Sequence, residues 1–492
     1  MFFIFVLPSP WVQILLPLGY RLALEMIVMN KTYHALALVC SLVLVSGFLL
    51  APPCYASDPF PEYSCIEPNI LFWIDVYTKY PTSKGILHDS NDVGVVYDVI
   101  ELWPPDKHGA QKVNKKRIKL AKEKYKRILA QLSRGEDQSP ESARVARLFS
   151  PQASRSVFKK AMANIRCQIG QSDRFQEGLL RSGAYIDDMK AIFRSNGLPE
   201  DLAYLPHVES SFNLEAHSKA GAAGIWQFTR STGKRFMTVG YALDERRDPI
   251  RSTEAAARLL KENHEKLDNW PMAITAYNHG MAGMRRAKRA KGSYEEVFTD
   301  YSNRRFKFAS RNFYPEFLAA RHVAKNYRQY FGALELDEPL RAWEHTMEGH
   351  ASITDLSSHF EVDVETIRAF NPALRRPVLN QQKYVPQGYT LRLPAEAVED
   401  PRLFSSELMR NIYKAHQKPS QFYQVKKGDT VGEIARAHGL KVSDLIAANN
   451  LDSKGTIYVN QTLRLPLPER KPDQAARLRM TSIPNVEAPM VD

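Results

Sequence analysis

Near its carboxyl end the chain repeats itself. Asp355–Asn371, "DLSSHFEVDVETIRAFN", matches Glu433–Asn449, "EIARAHGLKVSDLIAAN", at a constant offset of 78, and each copy closes on "TLRLP", at 390–394 and 462–466. Duplication constrains the fold strongly, because each copy must close a small core of its own. Two helix-length runs between short strands predict a βααβ module of about 45 residues. The expected modules cover 345–395 and 421–467, with a charged, Ser- and Pro-containing linker at 396–420 and a polar tail, read as disordered, at 468–492.

At 492 residues the chain exceeds one ordinary core, so something larger precedes the modules. From about 150 to 332 nearly every segment has helical periodicity. "STEAAARLLKENHEKL" (252–267) has Ser252 as an expected N-cap, "PMAITAYNHGMAGMRRAKRAKG" reads as a helix interrupted at Gly280, and "YPEFLAARHVAKNYRQYF" (314–331) is a third helix. An all-α domain is expected over 151–335. Residues 57–150 form an accessory region in which "LFWIDVYTKY" and "VGVVYDVIELW" suggest strands or an irregular cap. "KVNKKRIKLAKEKYKR" (112–127) follows as a basic amphipathic helix, with Val113, Ile118, Leu120, Tyr125, Ile128 and Leu129 toward one side. The fold class is multidomain and mainly α, with small α+β modules.

The amino terminus points out of the cytoplasm. From Met29, the expected start, a Lys precedes an apolar run over 35–51 and a small-x-small step at Cys54–Ala56, the form of a secretory signal cleaved after Ala56. An uncleaved membrane anchor and lipidation at Cys54 stay open as alternatives. Removal of 1–56 leaves Cys65 and Cys167, either a disulfide or two buried thiols. No zinc-type spacing occurs, and neither metal nor cofactor is expected. The net charge of +13 suits an anionic partner. Export argues for a wall polymer over nucleic acid, and the oligomeric state stays open.

Within the helical block, "GLPEDLAYL" begins a helix in which Leu198, Leu202 and Leu205 mark the buried stripe. Glu209 lies 11 residues past Leu198, about three turns on, and falls on that stripe. A carboxyl group on an apolar face is costly as structure. Desolvation raises its pKa, which suits a proton donor to a leaving oxygen. A salt-bridged structural acid would explain the same residue. "SKAGAAGIWQF" (218–228) reads as a Gly-punctuated turn into a helix bearing Trp226, Gln227 and Phe228, and "AYNHG" (276–280) ends another helix. Ordinary glycosidases pair two carboxylates. Glu215, Asp244, Glu245, Asp248 and Glu254 are nearby in sequence, and none sits in a motif.

Taken in order, E-S-x-F, then S-x-x-G-A-x-G-x-x-Q, then A-Y-N-x-G, the region from about 170 to 330 resembles the lysozyme-like domain of family 1 lytic transglycosylases. "RFQEGLLRSGAYIDDM" and "GLPEDLAYLPHVES" resemble the membrane-bound lytic murein transglycosylase D type. The later segment "SRNFYPEF" (310–317) departs from that type's Thr-Arg-Asn-Tyr-Val-Pro, with Phe313 at the tyrosine position. "YQVKKGDTVGEIARAHGLKVSDLIAANNL…IYVNQTLRLP" (423–466) resembles LysM, a peptidoglycan- and chitin-binding module, through Gly428-Asp429-Thr430, Asn449 and Leu463. There Asn460 replaces a glycine, as a residue that tolerates left-handed turns can. The first copy lacks "GDT" and is degenerate.

The resemblance implies a lyase that cleaves the β-1,4 bond between N-acetylmuramic acid and N-acetylglucosamine in peptidoglycan and forms 1,6-anhydromuramic ends. Glu209 would be acid and then base. Ser218 and Gln227 would bind the muramoyl sugar, Tyr277 would orient its N-acetyl group, and Asn278 would hold the Tyr277 loop. A hydrolytic goose-type lysozyme and a non-catalytic wall-binding protein are the alternatives.

Overall fold

The computed structural model describes residues 58–466 apart from 137–138, 219, 397–401 and 403–405. The expected export segment (1–56) and the tail expected to be disordered (468–492) lie outside the described residues. Where strands or a cap were expected, Glu67–Thr78 is a helix, α1, with a proline in its first turn. Its Ile70, Phe72, Trp73, Val76 and Tyr77 are all buried. Its more open side carries Leu71, 57% exposed, so the polar face that would have given the helical period away is interrupted. Three antiparallel strands follow, β1 (Lys84–Asp89), β2 (Val96–Glu101) and β3 (Ile165–Ile169), in the order β2-β1-β3. Helix α2 (Ala110–Arg134) covers them, burying Tyr125, Ile128, Leu129 and Leu132 beside Leu87, Tyr97 and Phe158. Leu120, expected on that side, is 60% exposed.

The helical body contains α3 (Ser172–Ser182), α4 (Ile186–Ser195), a 3-10 turn over Glu200–Tyr204 that runs into α5 (Leu205–Glu209), α6 (Pro249–Leu267), α7 (Trp270–His279), α8 (Met281–Lys291) and α9 (Phe308–Lys325). Helix α6 starts earlier than its alanine-rich run suggests. Asp248 is the N-cap, accepting from the Ile250 and Arg251 amides at 2.9 Å, while Ser252 is buried and donates back to the Asp248 carbonyl. Helix α9 runs through Pro315. The roughly 3 kcal/mol such a proline costs is offset by burial of Phe313, Tyr314 and Phe317 around it. Helix α1 lies against α9, where Asn312 Oδ1 accepts from Asn69 at 2.7 Å and from Trp73 Nε1 at 3.3 Å. One core therefore joins Phe60, Trp73 and Tyr77 to Phe175, Trp226 and Phe317. Amino-terminal residues are built into the helical body.

The repeat takes the expected shape twice. The first copy runs β4 (Ala342–Thr346), α10 (Ile353–Phe360), α11 (Val364–Phe370) and β5 (Thr390–Pro394); the second runs β6 (Gln421–Gln424), α12 (Val431–Ala437), α13 (Val442–Asn449) and β7 (Thr462–Leu465). In each, the outer strands pair antiparallel. One asparagine clips each copy together. Asn371 donates to the Ile367 and Arg392 carbonyls and accepts from the Arg392 amide. Asn449 does the same with Leu445 and Arg464. The clip closes over 21 residues in the first copy and 15 in the second, so the extra length of the first is accommodated before its last strand. Asn460 has φ +67°, the left-handed turn expected of it.

The first copy is fixed to the helical body. Leu243, from the loop before α6, belongs to the module's core, and Arg392 pairs with both Asp248 and Glu344. Met409 is buried in the same core. In the second copy the repeat-equivalent Arg464 stacks over Tyr241, 4.5 Å from its ring centre. Among the described residues no helix is long and apolar enough to cross a membrane.

Candidate functional site

Glu209 ends α5, whose first turn holds Pro206. Helix α5 is short because the chain reverses at once: Ser211 and Phe212 have φ +51° and +53°. Two consecutive side-chain-bearing residues in this region cost about 1–3 kcal/mol each, so the surroundings must impose the turn. Phe212 is fully buried and its ring lies 4.6 Å from that of His207. Arg181 donates to the Ser211 carbonyl at 2.8 Å, and Ser210 Oγ donates to the Ile225 carbonyl at 2.9 Å. Helix α3 approaches so closely here that a Cβ on Gly178 would sit 2.9 Å from the Ser211 oxygen. The acid is thus presented from a backbone fixed on three sides.

Among the described residues no hydrogen bond or ion pair reaches the Glu209 carboxyl. Burial pushes it up to about 8, with the Glu316 carboxyl as the lesser cause. The residue keeps some exposure while protein crowds its carboxyl. His207 is buried and pushed down to about 3, so its ring is neutral and supplies no counter-charge. Tyr277, on α7, donates to the Trp226 carbonyl at 2.8 Å, and its own pKa is raised by burial and then by Glu209. Tyr277 is therefore within electrostatic reach of Glu209.

Residues 218–228 correct one expectation. Trp226, Gln227 and Phe228 lie in a tight turn, and helix begins only at Arg230. Bridges between His217 and Ala223 and between Ala223 and Phe228 fold the loop on itself. Gly224 lies against the Arg246 carbonyl, which a Cβ would meet at 1.8 Å, and Gln227 is left-handed at φ +47°. Gln227 Nε2 donates to the Gly224 and Ala216 carbonyls, and Ser218 Oγ accepts from the Ala222 amide at 3.0 Å. Both polar side chains hold the loop's shape. Trp226 is fully buried and donates to Thr253 Oγ1 at 2.8 Å, a packing residue. Asn278 is exposed at the end of α7, where its Oδ1 accepts from Ser310 Oγ of α9 at 3.1 Å.

The nearby carboxylates have other duties. Asp244 pairs with Arg246, Glu215 with Arg247 and Glu254 with Arg251. Glu245 accepts from the Thr238 amide, and Asp248 caps α6. The acid that faces Glu209 is Glu316, on α9, which accepts from Tyr77 Oη of α1 at 3.1 Å and is itself pushed up to about 8 by burial. Sequence reasoning missed it. The available signal was a charge between Pro315 and Phe317 in a buried helical stretch. Cavities of about 460 Å3 beside Leu148–Ser154 and about 450 Å3 between Tyr241, Lys383 and Gln417 do not include Glu209. Cys65 and Cys167 are free thiols.

Known proteins resemble this chain in sequence. The transglycosylase SLT domain model matches residues 189–297, and the LysM domain model matches 423–466. The chain carries an SLT domain and a LysM domain. The SLT match spans Glu209, Ser218, Gln227, Tyr277 and Asn278; Tyr77 and Glu316 fall outside it. The chain is 27% identical over 288 residues to "Membrane-bound lytic murein transglycosylase D" of Escherichia coli K12, covering 55% of this chain and 61% of that protein. The same figures hold for the protein of that name from E. coli O6:H1 strain CFT073. Over 109 residues it is 35% identical to "Putative tributyltin chloride resistance protein" of Alteromonas sp. strain M-1, covering 22% of this chain and 53% of that one. The chain thus spans about three-fifths of the length of the murein transglycosylases it matches.

Proposed function

We propose that the protein is a lytic transglycosylase of peptidoglycan, with Glu209 as its acid and base. The observation that carries this reading is a crowded carboxyl with no hydrogen-bond or ion-pair partner among the described residues, raised to about 8 by burial and fixed on a strained turn within the SLT match. Such a group is protonated at neutral pH and can hand its proton to a leaving oxygen. The bond between the muramoyl C1 and the bridging oxygen breaks, and that oxygen takes the Glu209 proton. The 6-hydroxyl of the same sugar then bonds to C1 and returns its proton to Glu209. One sugar–sugar bond is exchanged for a 1,6-anhydro ring, water is not consumed, and the carboxyl ends as it began. Attack within one sugar exploits the high effective molarity of a held nucleophile.

In this reading Tyr277 orients the N-acetyl group from beside Glu209, Ser218 and Gln227 shape the loop that receives the muramoyl sugar, and Asn278 ties α7 to α9. The LysM domain holds the same glycan strand and raises its effective concentration at the site. The excess of positive charge favours an anionic wall. The cell envelope is the expected location, reached through the signal in 29–56 and, given the relatives' name, with membrane association.

The test is product analysis on isolated sacculi. Wild type should release muropeptides with anhydro ends, and Glu209→Gln should release none. Reducing ends without anhydro products would replace this reading with a hydrolase. Equal inactivity of both proteins, with sacculus binding retained, would make the chain a wall-binding protein.

A further inference from the structure

Helix α5 delivers Glu209 against α9, and α9 carries a second carboxyl, Glu316, toward the same place. The two are treated unequally. Glu316 accepts a hydrogen bond from Tyr77 and feels the Arg166 guanidinium on β3, while no described group donates to Glu209. Tyr77 is fully enclosed on α1 and senses both carboxylates, Glu316 more strongly. We propose that Glu316, held by Tyr77 from the amino-terminal helix, is a positioning residue that takes the negative charge of the pair and leaves the proton on Glu209.

The reasoning is that of two carboxyls sharing a site. Both cannot ionise cheaply, so the pair gives up its protons in two steps. A donor on one member selects which goes first. Burial holds Glu316 up at about 8, but the Tyr77 O–H and the Arg166 charge favour its ionised form. It is therefore the first of the pair to lose its proton as pH rises, and that charge then opposes ionisation of Glu209. Other charged neighbours are engaged elsewhere. Arg321 and Lys325 of α9 are held by Asp201, Arg311 donates to the Phe298, Thr299 and Tyr301 carbonyls, and Arg181 of α3 is bound to Glu177 and Ser211. Tyr277 faces Glu209 from α7 with its proton committed to Trp226, and His207 is neutral. The amino-terminal region thereby contributes a residue to the acid's environment.

This inference rests on Glu209 being the proton donor, and the experiment separates the two claims. Release of anhydro muropeptides from sacculi is measured with the full chain from about pH 5 to about pH 10 for wild type, Glu316→Gln, Tyr77→Phe and Glu209→Gln. Thermal melting checks that each is folded. Glu316→Gln and Tyr77→Phe should keep activity on the acid side while the alkaline limb moves down by about one pH unit or more, and Glu209→Gln should be inactive throughout. An unmoved alkaline limb in both variants, with Glu209→Gln inactive, would overturn the role of Glu316 alone. A folded Glu316→Gln inactive at every pH would overturn it too, because Glu316 would then be reacting itself. Activity in Glu209→Gln would overturn the reading beneath. Should Glu316→Gln fail to fold, Tyr77→Phe, which removes one hydroxyl, decides.

Discussion

Replacing Glu209 by glutamine should stabilise the protein at high pH and do little at low pH. An unfolded glutamate titrates near its ordinary 4.5, whereas Glu209 in the folded protein titrates at about 8. A folded value above the unfolded one means that the native state holds the proton more tightly. Full stability is therefore present below about pH 4.5 and drains away as the pH rises to about 8. At about 1.36 kcal/mol per pH unit, that gap sets a ceiling of about 5 kcal/mol. Residual solvent contact and the shared load with Glu316 reduce this, so a difference of about 2–4 kcal/mol is expected. A glutamine side chain has nearly the same shape and cannot ionise. Melting temperatures of wild type and Glu209→Gln should agree within a degree or two near pH 4.5 and separate by roughly 4–10 °C near pH 9, with the variant higher. A separation that is the same at both pH values would refute the argument, because it would mean that the folded carboxyl ionises as readily as an unfolded one.

Further outcomes follow from the same contacts. Leu243→Ala should cost about 2–4 kcal/mol in thermal melting, because that side chain is built into the first module's core from the helical body; an unchanged melt would mean the module does not depend on it. Asn449→Ala should cost about 1–3 kcal/mol and weaken sacculus binding in a pelleting assay, since one side chain closes α13 onto β7. Gly178→Ala should lower activity on sacculi by at least about tenfold with a smaller loss of stability, because its Cβ would press on the carbonyl two residues beyond Glu209; full activity would show that the turn tolerates displacement.

Much of this protein is readable along the chain. Helical periodicity located most of the body, and the repeat at offset 78 located both modules. Asn460 was legible because a left-handed turn needs a residue that accepts it. Glu209 stood out by its spacing from Leu198, Leu202 and Leu205; Leu202 and Leu205 are buried, whereas Leu198 is half-buried ahead of a 3-10 turn rather than on one continuous helix. The errors have physical causes too. Helix α1 looked like strand because it is apolar on most sides. Trp226–Phe228 looked helical because a local sequence does not show that Arg246, some 20 residues on, will press on Gly224. The start of α6 was misplaced because Asp248 caps it ahead of the run that attracts attention.

The amino-acid sequence alone determined most of the element types and the duplicated module and singled out Glu209 as a candidate, since each depends on periodicity or on residues close together in the chain. Only the tertiary structure decided that Glu209 has Glu316 for company, that Tyr77 arrives from 239 residues away to bind that second acid, and that Leu243 joins the first module to the body. The reason is range. Periodicity reports what a segment buries, whereas the charge state of a carboxyl depends on which distant segments are folded around it.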